Sequence, residues 1–340
     1  MKKDIFHRLT LFAVLCFALA ACNHSSTEDS KPTKKISIVA SIYPQYDWTK
    51  KILGSRADSV DLSLLIKSGT DLHSYKPTAS DMAKLANADL VVYVGGESDE
   101  WISEALAASP KADRLEINLM QGLGERVKAE EIVEGMETEH HEEHEHENHR
   151  HETHRGEAED VENDEHVWLS IKNAEISVQE IAKALETLDS AHAKIYRNNS
   201  IAYGKKLRKL DADYQASIDS ASRKTVLFGD RFPFRYLVDD YGITYYAAFV
   251  GCSAESEASF ETVAFLAGKM DSLSLPAIFT LENGNEKIAR AVLSASKNSK
   301  DAKILKLNSL ESVTEKEIES GADYLGIMQG NLDVLKKALH

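Results

Sequence analysis

The chain has 340 residues, three cysteines and a formal net charge of −15. Phosphate backbones are bound by clustered Lys and Arg, so this acidic balance argues against a nucleic-acid partner and favours a cationic ligand. Three cysteines are too few for a disulfide framework, but the length suffices for two packed lobes.

The first residues have the pattern of a targeting segment. A basic start precedes apolar residues 9–21, a run too short to cross a bilayer as a stable helix. The run closes on Leu-Ala-Ala-Cys, which resembles a bacterial lipoprotein box; an ordinary signal peptide is the alternative. We predict a signal peptide over 1–21, lipid on Cys22, a polar tether over 22–35 and a location outside the cytoplasm on a membrane. Cys252 would then stand alone in the mature chain.

Strand and helix patterns alternate from residue 36 onward. Apolar strands are predicted over residues 36–40, 60–66 and 90–94, with single helices between them. Such an order forms a mainly parallel sheet, and ligands bind at the carboxyl ends of its strands. His73 lies in the loop after the second strand, so it is a candidate for a binding residue.

The longest helical pattern covers residues 173–221, with a break indicated at Asp189. This span exceeds an ordinary crossover between two strands. Its apolar stripe is not a sustained heptad, which disfavours a coiled-coil dimer and leaves the protein a monomer. We predict a rigid bridging helix between two lobes.

The second half repeats the alternation of strand and helix. Strands are predicted over residues 225–228, 243–249, 277–281 and 303–307. The expected fold is therefore α/β: an N-terminal lobe over 36–172 and a C-terminal lobe over 222–340, each with a parallel sheet. A ligand site is expected in the cleft between them.

A histidine-rich segment lies at residues 137–165, where thirteen acids accompany seven histidines. The histidines are His140, His141, His144, His146, His149, His151 and His154. Neutral imidazole binds Zn, Cu, Ni and Fe, and carboxylates favour a nearby divalent cation. We predict a loop that attracts metal ions weakly; inert low-complexity filler or a purification tag are the alternatives. The segment ends beside His166, where apolar residues resume.

Two motifs carry a resemblance to a known family. Residues 70–77 (TDLHSYKP) and 164–169 (DEHVWL) are similar to the D-x-H-x-Y-x-P and D-x-H-x-W-L segments of metal-binding lipoproteins that serve bacterial ABC importers for zinc and manganese. The resemblance covers nearly the whole mature chain. It implies two α/β lobes bridged by one long helix, with His73 and His166 as metal ligands. The zinc branch often carries a His-rich loop before the second motif.

The third ligand departs from that family. Its zinc branch has a histidine where this chain has Arg231, and a guanidinium cannot ligate a cation. Asp230 is the first candidate to replace it, with a salt bridge or a helix cap as its alternative role. Glu282, after the third strand of the second lobe, is next, although it could be a structural acid. Cys252 is the third candidate, although a lone cysteine is commonly a buried small hydrophobe.

The resemblance implies a binding protein, not an enzyme, that captures a divalent metal for an ABC permease and its ATPase. We expect zinc, with manganese as the alternative. A metal-buffering or adhesin lipoprotein is a second hypothesis, in which the His-rich segment is the whole function. An extracellular metallohydrolase is a third, although the sequence has no His-Glu-x-x-His motif.

Overall fold

The computed structural model describes residues 35–67, 69–137, 162–253, 257–299 and 301–340. Within it, Ile36–His340 forms one compact unit. The predicted signal peptide, Cys22, the tether up to residue 34 and the seven histidines between residues 140 and 154 lie outside the described residues. None of the described helices is both long and apolar enough to cross a membrane.

The first half folds around a four-stranded parallel sheet in the order β2-β1-β3-β4. Its strands are β1 (Ile36–Ala40), β2 (Val60–Leu64), β3 (Leu90–Tyr93) and β4 (Leu115–Asn118). Its helices are α1 (Tyr43–Leu53), α2 (Ala79–Asn87), α3 (Glu100–Ala108) and α4 (Leu119–Leu123). All four residues of β3 are buried, as expected for a central parallel strand with both faces covered.

The second half builds another parallel sheet, in the order β6-β5-β7-β8. Its strands are β5 (Thr225–Phe232), β6 (Thr244–Val250), β7 (Ala277–Leu281) and β8 (Lys303–Leu307). β5 extends beyond the predicted strand, through a register shift between Phe228 and Arg231, so Arg231 lies at the end of this strand. The expected two-sheet α/β fold is confirmed.

The long helical segment differs from the single bridging helix that was predicted over 173–221. It forms α5 (Ile171–Leu188) and α6 (Ala193–Asp219), joined by a 3-10 turn at Ser190–His192. Ion pairs Glu186–Arg197 and Glu175–Arg208 link the two helices, so they run antiparallel side by side. The break comes at Asp189, whose carboxylate accepts hydrogen bonds from His192 and Tyr196 on the far side of the turn.

Helix α6 bridges the two halves, which confirms the expected long bridging helix. It has 27 residues, a length of about 40 Å at 1.5 Å per residue. Near its start, Asn199 Nδ2 donates to the carbonyl of Ile52 in α1 at 2.8 Å. Near its end, Tyr214 Oη donates to the carbonyl of Met328 at 2.6 Å. These two bonds attach the start of α6 to the first half of the chain and its end to the second half.

The remaining helices cover the second sheet: α7 (Arg235–Tyr241), α8 (Phe260–Ser272), α9 (Lys287–Ala295), α10 (Glu315–Glu319) and α11 (Tyr324–Leu339). Direct bonds also join the halves. Trp168 Nε1 donates to the carbonyl of Ser309 at 2.8 Å, and Tyr324 Oη donates to the carbonyl of Trp168 at 2.7 Å. These bonds fasten the segment just after His166 to the second lobe.

Truncating the buried face of α6 should destabilise the whole unit. Leu207 is fully buried, so we expect Leu207→Ala to lower the free energy of unfolding by about 2–5 kcal/mol. Ile201, on the same helix, is 51% exposed, and Ile201→Ala should change it by about 0.5 kcal/mol or less. Urea denaturation of both variants measures the difference, and equal losses would contradict the assigned role of α6.

Candidate metal centre

His73 is placed by a short turn at the carboxyl end of β2. The turn, Leu72–Ser74, is capped by Asp71, whose Oδ1 accepts the His73 backbone N–H at 2.9 Å. On the ring, Nδ1 lies 2.7 Å from Ser98 Oγ and 3.6 Å from Glu165 Oε2. Because these groups engage Nδ1, Nε2 is left to face the site.

His166 is oriented by the residue two positions before it. The carboxylate oxygen Oδ1 of Asp164 accepts the His166 backbone N–H at 2.8 Å and lies 2.9 Å from ring Nδ1. A carboxylate on one ring nitrogen fixes the tautomer and leaves the other nitrogen to a ligand. The His166 side chain is fully buried, and the 3-10 turn of Val167–Leu169 follows directly.

A buried carboxylate of the second lobe meets both histidines. Glu311 Oε1 lies 2.9 Å from His166 Nε2 and 3.5 Å from His73 Nε2, and the two Nε2 atoms are 3.1 Å apart. Glu311 was not among the residues that the sequence motifs predicted as ligands. Glu311 follows β8 by four residues, so the rule that places ligands at the carboxyl ends of parallel strands makes it a candidate alongside Asp230 and Glu282.

The spacing of these three atoms suits a small tetrahedral ion. Zinc binds imidazole nitrogen and carboxylate oxygen at about 2.0–2.2 Å, so the corners of its tetrahedron lie about 3.3–3.6 Å apart. The three separations here are 2.9, 3.1 and 3.5 Å, within a few tenths of an ångström of those edges. Two imidazoles and one carboxylate are also a donor set that zinc accepts.

The charges of this cluster are strongly coupled. Burial by itself would lower the pKa of His166, but the carboxylates of Asp164 and Glu311 outweigh it and raise that pKa to about 10. Burial would raise the pKa of Glu311, but hydrogen bonds from His166 and His73 and the charge of Arg231 hold it well below its ordinary value. The metal-free site therefore keeps an imidazolium that donates to a carboxylate.

Arg231 lies against the cluster instead of within it. Its guanidinium donates to Glu311 Oε2 at 2.9 Å and forms an ion pair with Asp71. Asp71, His73 and Glu311 each offer a possible ligand atom within 4.8 Å of one another. Asp71 is thus near the site, but Arg231 already engages its carboxylate.

The two acids predicted as third ligand lie near the cluster, but each is bonded to other groups of the second lobe. Asp230 Oδ2 accepts the Leu281 backbone N–H at 3.1 Å, which ties the end of β5 to β7. Glu282 accepts bonds from Ser309 N at 2.9 Å and from Ser312 Oγ at 2.8 Å, so it supports the loop that carries Glu311. Neither acid belongs to a cluster of three possible metal ligands among the described residues. The structure brings Glu311 to the histidines instead.

Cys252 lies beside the two histidines. Its sulfur and one nitrogen each of His73 and His166 lie within 4.8 Å of one another. Burial, followed by nearby acids such as Asp164, raises the pKa of its thiol, so without a metal the sulfur is neutral. A cavity of about 360 Å³, lined by Asp71, His73 and Arg231 among others, opens beside the cluster.

Comparison with known proteins decides the family. The family model described as ZnuA, the periplasmic component A of a zinc-uptake complex, matches residues 38–338. The chain belongs to the ZnuA family. The resemblance stated from the two histidine motifs is therefore confirmed, and the family description agrees with the expected location outside the cytoplasm.

Relatives of this ZnuA-family chain carry zinc in their names. It is 32% identical over 327 residues to the high-affinity zinc uptake system protein ZnuA of Bacillus subtilis (strain 168), covering 95% of each chain. It is 28% identical over 336 residues to the zinc-binding protein AdcA of Streptococcus pyogenes serotype M3, covering 99% of this chain but only 61% of AdcA. The crystal structure of Zn(II)-bound AdcA from Streptococcus pneumoniae superposes with a TM-score of 0.68 at 27% identity, over 90% of this chain and 58% of that one.

The proton on His166 provides a test of the site's electrostatics. We expect ring-nitrogen NMR of the metal-free protein to show His166 as an imidazolium until the pH approaches about 10. This raised pKa stabilises the metal-free fold fully below the ordinary value of 6.5, and that contribution is lost as the pH rises through about 10. Asp164→Asn should lower the midpoint of the His166 titration by at least about one pH unit, because it removes a carboxylate that raises this pKa.

Asp230→Asn is the matched control for the His166 titration. It also removes a nearby carboxylate, but this one accepts the backbone N–H groups of Arg231 and Leu281 instead of bonding to His166. A His166 midpoint near 6.5 in the wild-type protein would contradict the assigned contacts.

Proposed function

We propose that this protein captures Zn²⁺ between its two lobes and delivers it to the membrane permease of an ABC importer. The observation that supports this most directly is the cluster of His73 Nε2, His166 Nε2 and Glu311 Oε1, whose separations lie near the edges of a zinc tetrahedron. Two relatives named for zinc uptake or zinc binding support the choice of metal.

The donor set favours zinc over manganese. Two neutral imidazoles and a single carboxylate oxygen are typical of zinc sites, whereas manganese prefers six ligands that are mainly oxygen. The fourth zinc ligand is Cys252 or a water molecule. A cysteine would be bound as thiolate, so zinc would have to displace the proton that burial favours.

The arrangement needs no covalent chemistry, and the protein is not an enzyme in this proposal. Two ligands come from the first half of the chain and one from the second, so opening the cleft separates Glu311 from the histidines. Docking on the permease, powered by its ATPase, would open the cleft and release the ion. The protein would act as a monomer, cleaved after residue 21 and held on the membrane by lipid on Cys22.

The His-rich segment would raise the concentration of metal ions around the protein. Its seven histidines bind several ions weakly, which raises the local concentration without fixing one ion. The buffer hypothesis gives this segment the whole function instead, and the two hypotheses make different predictions.

Substituting the three proposed ligands tests the site. We expect His73→Ala, His166→Ala and Glu311→Gln each to weaken zinc binding at least tenfold, or about 1.4 kcal/mol. Each alanine removes a donor nitrogen, and Glu311→Gln replaces a charged carboxylate oxygen with a neutral amide oxygen. Competition with a chromophoric chelator measures the affinity. Glu282→Gln is the matched control, because its carboxylate bonds to Ser309 and Ser312, and it should lose less. A Glu311→Gln variant with wild-type affinity would exclude Glu311 as the third ligand.

Deleting residues 139–155 separates the two functional hypotheses. The binding-protein proposal predicts that calorimetry of the deletion variant detects fewer weakly bound ions and an unchanged tight site. The buffer hypothesis predicts that all tight binding is lost, and that result would overturn our proposal.

A further inference from the structure

The two oxygens of Glu311 have different partners. Oε1 faces the imidazole nitrogens, 2.9 Å from His166 and 3.5 Å from His73. Oε2 faces away from them and accepts bonds from Arg231 Nη2 at 2.9 Å and from Ser309 Oγ at 3.2 Å. Only Oε1 is therefore available to a metal ion at this cluster.

Arg231 is held so that it cannot easily leave Oε2. Its side chain is 16% exposed, and it forms a second ion pair with Asp71. Asp71 is itself fixed, because its other oxygen caps the turn that carries His73. A guanidinium does not deprotonate in proteins, and the charges of Glu311 and Asp71 raise its pKa further against the effect of burial.

We propose that Arg231 determines metal specificity by restricting Glu311 to one coordinating oxygen. The inference rests on the proposed function. With two imidazoles and one carboxylate oxygen, the site supplies three donors and suits four-coordinate zinc. Manganese prefers an octahedral shell of oxygens, and a carboxylate that could bind through both oxygens would help to fill it. Because Arg231 is bonded to the second oxygen of Glu311, that oxygen is not available as a ligand for manganese.

The charge of Arg231 has a separate effect. A fixed positive charge near the site repels every divalent cation to a similar degree, so it weakens zinc and manganese by similar factors. Restricting Glu311 to one oxygen penalises manganese more than zinc. The ratio of the two affinities therefore distinguishes the proposed role from simple repulsion.

Arg231→Gln tests the proposal, because it removes the charge and the two-armed contact. We expect both affinities to rise, but that for manganese to rise at least about tenfold more, measured by competition with a chelator. Arg235→Gln is the matched control: Arg235 is paired with Glu131 and Asp239, so its loss should leave the zinc-to-manganese ratio unchanged. Equal shifts of both metals in Arg231→Gln would overturn the proposal.

A second measurement uses the wild-type protein and does not depend on how the variant folds. A crystal structure of the zinc-loaded chain should show Glu311 bound through Oε1 alone, with Oε2 still paired to Arg231. Zinc bound through both oxygens would overturn the proposal. If zinc lies elsewhere or does not bind, the proposed function itself fails. If zinc binds at the cluster but Arg231→Gln leaves the ratio of zinc to manganese affinity unchanged, only this inference fails.

Discussion

The contact of Glu311 with two histidines is the interaction on which this site depends. It joins a carboxylate after the last strand of one sheet to imidazoles held by the other half of the chain. All three side chains are largely buried, and a buried charge is costly unless it is paired. The metal-free cluster therefore contains an ion pair between imidazolium and carboxylate, and in the proposed function a cation would replace the proton between them.

The surrounding structure keeps these donors in position. Asp164 and Asp71 each fix a histidine through backbone or ring bonds, and Glu282 holds the loop of Glu311 through Ser309. Carboxylates that orient metal-binding histidines also raise their basicity. Helix α6 spans both halves, while the bonds around Trp168 join the halves directly beside the cluster. The bonds that join the two halves therefore also position the donors of the cluster.

Arg231 changes the charge of the site and the bonding of Glu311, although a guanidinium cannot itself be a metal ligand. A histidine at that position would add a donor from the second lobe, whereas the guanidinium adds a positive charge and engages Asp71 and Glu311. Its two partners lie on opposite sides of the cleft, so it also links the lobes.

The sequence alone determined the fold class, the family and the two histidines, because strand periodicity and short motifs are local patterns. It also indicated the break at Asp189, but not that α5 folds back along α6, which depends on side-chain pairs separated by up to 33 positions. Only the tertiary structure shows which carboxylate of the second lobe contacts the two histidines. Asp230, Glu282 and Glu311 all follow or end strands of one parallel sheet, so their sequence patterns are alike. Which carboxylate contacts the histidines depends on how the two lobes pack together. The backbone N–H of Leu281 donates to Asp230 and that of Ser309 donates to Glu282, so these two carboxylates are bonded within the second lobe.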